Sequence, residues 1–232
     1  MSQIIPKKTK IISIILKCVV IIAAIVGTYL SAASGMGGFM NGSTVFMYFT
    51  IQSNIFIALI CAVGLILLLR GKKIADAWYV IKFVGTVSIT LTGAVFTFML
   101  APTLGDLAWT VHNVLTHVVV PVASIADFFL TAGYGDLKKR HIPWVLVPPG
   151  LYGVYAGIAY VAGWEFLKGN NYPYFFLNWG SPAGAFGFCD ELPFMGCVWW
   201  ILALFALLLL VGALYLWIVN KIKGRITRSA MA

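Results

Sequence analysis

Charge is scarce in this sequence. Only 10% of its 232 residues are Asp, Glu, Lys or Arg, against 61% hydrophobic. Soluble domains carry about 25% charged residues, so a single water-facing globule is excluded. Acidic residues are scarcer still: seven Asp and Glu stand against sixteen Lys and Arg, a net charge of +9. Three histidines and four cysteines are all the chain offers a metal, and no Cys/His spacing has the form of a zinc site. Internal repeats, low-complexity tracts and a separate soluble domain are missing as well.

The basic excess does not indicate nucleic acid. Thirteen of the sixteen cations lie in four short clusters: Lys7, Lys8 and Lys10; Arg70, Lys72 and Lys73; Lys138, Lys139 and Arg140; and Lys221, Lys223, Arg225 and Arg228. Each cluster borders an apolar run, the distribution that orients a chain in a membrane.

What the sequence has in quantity is those runs. They cover 11–30, 45–69, 78–101, 107–131, 143–162 and 198–219, each long enough to cross roughly 30 Å of hydrocarbon. The expected fold is an all-α integral membrane protein, a six-transmembrane-helix bundle forming one domain over 1–232. The first run is read as an uncleaved span, not a secretory signal. The connections alternate between basic and neutral or mixed, which makes the N- and C-termini cytoplasmic. Seven tryptophans (78, 109, 144, 164, 199, 200 and 217) fall at span ends, as an interfacial belt requires.

The outer loop, 163–197, carries Tyr172-Pro-Tyr-Phe-Phe-Leu-Asn-Trp179 and is too apolar to float in water. It reads either as a packed lid without chemistry or as a gate over a lipid-facing pocket. Cys18 and Cys61 fall within spans as small buried residues. Cys189 and Cys197 share the outer loop, where an oxidising exterior would allow a disulfide.

Polar groups inside spans are costly and need a partner or a task. Lys82 and Asp127 lie at matched depth near the basic ends of spans 3 and 4 and are expected to form a structural ion pair. Lys17 either joins it or reaches for the headgroups, and a proton or ion path is the sharper alternative. On span 2, Thr50, Ser53 and Asn54 share one helix face about two turns in. Their bland reading is interhelical hydrogen bonding. On span 4, Asn113 and His117 share a face, while His112 lies about 140° away from His117 by helix geometry. That angle argues against a shared haem. A neutral buried imidazole can take a proton from a hydroxyl, and a Thr hydroxyl needs such a base to act as a nucleophile. Thr50 and His117 fall at similar depth and form a candidate dyad. Asn54, Ser53 or Asn113 would then stabilise an oxyanion or bind substrate.

At these residues the sequence resembles the androgen-induced family of multi-pass membrane proteins and its bacterial relatives. The resemblance runs from about Tyr48 to Trp179. It rests on Tyr48-Phe-Thr-Ile-Gln-Ser-Asn54, on His112-Asn-Val-Leu-Thr-His-Val-Val-Val-Pro121 with Asp127, and on Gly157 through Tyr174. Asn54 follows Thr50 by four residues, where the animal members have three. The resemblance implies a cofactor-free hydrolase of fatty acid esters of hydroxy fatty acids, with Thr50 as nucleophile and His117 as base. It also implies a membrane lipid or lipid ester as substrate and a bacterial plasma membrane as location. The alternative is a non-enzymatic binding or transport protein using the same polar patch.

Overall fold

A computed structural model describes residues 5–34, 42–71 and 74–229. Lys72 and Lys73 of the second basic cluster, and residues 35–41 of the first connection, lie outside the described residues. The chain is 78% helical, with no strand among the described residues. Among the described residues, six helices are long and apolar enough to span a membrane: α1 (Lys7–Ala33), α2 (Phe49–Leu69), α3 (Asp76–Trp109), α4 (Val111–Ala132), α5 (Lys139–Val161) and α6 (Cys197–Arg228). Helices α1 to α4 pack on one another, and α6 packs on the base of α5 and on α3 and α4. The described residues of the basic clusters sit at one end of the bundle and the long loop at the other.

Two helix boundaries differ from the sequence reading, and both bear on the site. The run from 45 does not enter a helix directly. Gly42–Met47 forms a 3₁₀ turn, Tyr48 is extended (φ −90°, ψ 140°), and α2 begins at Phe49. Thr50 therefore stands in the first helical turn, where backbone N–H groups have no intrahelical acceptor. Likewise, 102–106 is not a connection between spans. Gly105, at φ +56°, bends α3 into a 3₁₀ turn that runs to Trp109, and the break comes at extended Thr110.

Helices α3 and α4 share an irregularity. Phe96–Leu100 and Leu115–Val119 are π-helical turns. Each is followed by one residue and then a proline, Pro102 and Pro121. Proline has no N–H, and its ring clashes with the carbonyl four residues back. The residue before each proline instead closes a wider ring, Ala101 N–H donating to Phe96 O and Val120 N–H to Leu115 O. Such turns are frequent at functional sites.

Near the basic end, Asp127 of α4 is fully buried and joins three helices. Lys17 of α1 approaches it to 2.5 Å and Lys82 of α3 to 2.6 Å, with side-chain exposures of 4% and 6%. Ser13 donates to the same carboxylate at 2.5 Å, and Lys82 donates to Thr131 at 2.6 Å and to Asp127 O at 2.9 Å. The expected Lys82–Asp127 pair is thus present, and Lys17 joins it instead of reaching for headgroups. Gly64 on α2 makes the room, since a Cβ there would stand 2.9 Å from Lys17 Cε. Removing one member of a buried ion pair strands a charge, at about 3–5 kcal/mol. Asp127→Leu is expected to lower stability by that order in detergent unfolding. The triple variant Lys17→Met, Lys82→Met, Asp127→Leu is expected to recover most of the loss. A triple variant less stable than Asp127→Leu would show that the lysines have other partners.

Candidate active site

The first turn of α2 and the π turn of α4 meet beneath the outer loop. Thr50 is 5% exposed and His117 4%. The Thr50 hydroxyl lies 3.3 Å from His117 Nε2. On the opposite side of the ring, His117 Nδ1 is 3.1 Å from Asn113 O and 3.1 Å from Thr116 Oγ1. A backbone carbonyl only accepts, and Thr116 Oγ1 already donates its proton to His112 O. Nδ1 therefore carries the imidazole hydrogen, and the Nε2 lone pair faces Thr50. Phe96, from the π turn of α3, stacks on the imidazole at 3.8 Å and 15°. Gly93 lets α3 come this close: a Cβ there would stand 3.0 Å from His117 O, the carbonyl four residues before Pro121, which has no N–H to give it.

The structure thus brings Thr50 and His117 together, and it gives the other expected site residues different work. Side chains on a helix lean toward its N-terminus, so Ser53 and Asn54 reach back to Thr50. Asn54 Nδ2 donates to Thr50 O at 2.8 Å and to Thr116 O at 3.1 Å, which uses both amide hydrogens. It is not an oxyanion donor but a tie between α2 and the π turn of α4. Ser53 donates to Thr50 O at 3.0 Å and meets Thr92 of α3 at 2.7 Å, the interhelical bonding of the bland reading. Asn113 points its amide at Leu107 O, 3.3 Å away, and contributes to the site only through its carbonyl. His112 turns to Thr110 at 3.2 Å. Cys189 and Cys197 are both free thiols. Cys189 Sγ donates to Glu191 O, so the disulfide that the shared loop would allow is not formed.

One site residue escaped the sequence reading. Tyr174, on the outer loop, accepts a hydrogen bond from Thr50 N–H at 3.3 Å and lies 3.4 Å from the Thr50 hydroxyl. Burial raises its phenol above the ordinary value, so it holds its proton as a potential donor. Stacking on Phe176 at 5.1 Å holds the ring, and Tyr48 ties the loop down by donating to Phe166 O at 3.2 Å. The sequence signal was present in Tyr172-Pro-Tyr174, but nothing in its spacing indicated α2 as the partner.

Thr50 and Tyr174 line a cavity of about 560 Å³ that is otherwise almost wholly apolar. It lies between α2, α3, α5, α6 and the outer loop. Its size and character are those of a small-molecule site with few polar groups.

Comparison with protein-family models, with curated proteins and with solved structures finds no match for this chain.

The tautomer is open to direct measurement. Nitrogen-15 spectra of histidine-labelled protein in detergent are expected to show His117 protonated on Nδ1. Thr50→Val should leave that signal in place, because the Asn113 carbonyl sets it. Protonation on Nε2 would remove the imidazole as acceptor for Thr50.

Proposed function

We propose that this chain is an intramembrane threonine hydrolase that cleaves lipid esters, as its resemblance to the androgen-induced family implies. The observation that carries the reading is a buried hydroxyl facing the unprotonated nitrogen of an oriented imidazole, at the wall of an apolar cavity. Both termini lie on the cytoplasmic side in this reading, since every cluster of Lys and Arg borders that end. The dyad then sits toward the outer leaflet of a plasma membrane, bacterial by the same resemblance.

The chemistry follows from the geometry. Thr50 Oγ attacks the ester carbonyl carbon while its proton passes to His117 Nε2. The carbonyl electrons move onto oxygen, where Tyr174 O–H, itself held by the Thr50 N–H, and the positive end of α2 stabilise the charge. Collapse breaks the bond to the alcohol oxygen, which leaves with the proton from Nε2. Water then attacks the acyl-threonine and gives a proton to the same nitrogen. Thr50 departs with that proton, and the carboxylic acid is freed. Asn113 O holds the ring throughout and stabilises the transient imidazolium, the part a carboxylate plays in a triad.

Purified protein in detergent, assayed on p-nitrophenyl esters, tests this. Thr50→Ala and His117→Ala are each expected to reduce kcat/KM by about 10²–10⁴-fold. Tyr174→Phe should reduce kcat by about 10²-fold, as loss of one oxyanion donor does. Labelling by a fluorophosphonate should vanish in Thr50→Ala. Hydrolysis at the wild-type rate in Thr50→Ala would remove Thr50 as nucleophile, and a wild-type protein that neither hydrolyses these esters nor labels would favour the non-enzymatic binding or transport reading of the same patch.

A further inference from the structure

The cavity continues well past the dyad, and its shape carries a second conclusion. Phe96, stacked on His117, marks the level of the dyad on α3. Cavity-lining Leu100 lies about 6 Å nearer the loop, and Leu91 about 7 Å nearer the basic end, by helix rise. On α6 the lining runs from Ile201 to Leu208, about 10 Å of depth. Thr50 therefore opens on the side of the cavity, and the longer of its two arms runs about 7 Å from the level of Phe96 toward the middle of the membrane. The whole extends over roughly the 15 Å of hydrocarbon in one leaflet.

The long arm is bounded by α5 and α6, which do not close on each other. A Cβ on Gly153 would meet no atom within 4 Å, and the nearest atom to one on Gly150 is Phe205 Cζ at 3.6 Å. Val154 lines the same cavity while 62% exposed on the outside of the bundle. At the inner end Leu208 is 1% exposed and Leu91 8%. A closed floor, a side slit toward lipid and an apolar wall form a slot for one hydrocarbon chain.

Resting on the hydrolase reading above, we propose that the long arm holds the acyl chain of the ester. The chain enters sideways between α5 and α6, and Gly153 keeps the slot open and sets the chain length it takes. Position 153 is helical, so a larger side chain there needs no backbone change. It would take up the open space at the cavity wall, near the level of Thr50, where Tyr152 meets Phe49 and Tyr174.

The test joins a chain-length series with a probe that needs no catalysis. Gly153→Phe is expected to lower the kcat/KM ratio of p-nitrophenyl palmitate over p-nitrophenyl butyrate by tenfold or more. Palmitic acid carrying a mid-chain diazirine, photolysed with wild-type protein in detergent, is expected to label Leu91 and Leu208 at the buried end. That labelling should be lost in Gly153→Phe. An unchanged ratio in a folded Gly153→Phe overturns the proposal. So does label confined to lipid-facing residues such as Leu151 and Leu210, which are 67% and 68% exposed. If Gly153→Phe does not fold, the wild-type labelling pattern decides alone. No ester hydrolysis by the wild type, with label still on Leu91 and Leu208, would remove the hydrolase reading and leave the chain-binding slot.

Discussion

A proline within a membrane-spanning helix leaves a carbonyl without its donor, and in hydrocarbon no water replaces it. The site is arranged around that constraint. Pro121 withdraws the N–H that His117 O would accept, and α4 answers by widening its preceding turn. The widened turn changes the direction in which His117 leaves the helix and directs Nε2 at α2. Pro102 does the same to α3, where the widened turn lays Phe96 flat on the imidazole. Gly93 then lets α3 close over the freed carbonyl. Ordinary α geometry in both spans would point these rings elsewhere.

The bundle keeps its two polar regions apart. Asp127 is ten residues beyond His117, about 15 Å along the helix, and its oxygens are taken up by Lys17, Lys82 and Ser13. No carboxylate reaches the imidazole, so a backbone carbonyl orients it. Such a carbonyl cannot take up the proton itself. Any imidazolium formed would be stabilised only by the Asn113 and Thr116 oxygens and the face of Phe96. That is a weaker partner than a carboxylate, but it needs no buried negative charge when the site is at rest.

Much of this was legible in the sequence, because membrane residence makes polar residues conspicuous. Six apolar runs, the Lys82–Asp127 pair and the matched heights of Thr50 and His117 could each be read from spacing alone. Helical periodicity could also place Thr50, Ser53 and Asn54 on one face, but not say whether their side chains point outward to a substrate or backward to Thr50 O. The backward direction follows from Cβ geometry and makes Ser53 and Asn54 braces. The start of α2 was misplaced because hydropathy does not distinguish a 3₁₀ turn from the helix after it. Tyr174 is 124 residues from Thr50, and no local pattern links them. The π turns had a signal in the two prolines, each two residues beyond a widened turn.

A hydroxyl this well covered raises the question of water. Thr50 is buried beneath the loop by Tyr174, and the cavity beside it is lined by Phe49, Val95 and Phe96. In the proposed reaction an ester slides in from lipid through the α5–α6 slit without the loop moving. The water that releases an acyl-threonine cannot use that route, because the slit faces hydrocarbon. It has to arrive from the loop end, past Tyr174 and Phe176. The two substrates of the proposed hydrolysis would thus approach from different phases, with the dyad where those paths meet. In that proposed reaction the aromatic packing of Tyr174 on Phe176 would shield the imidazole from water while a lipid chain is seated.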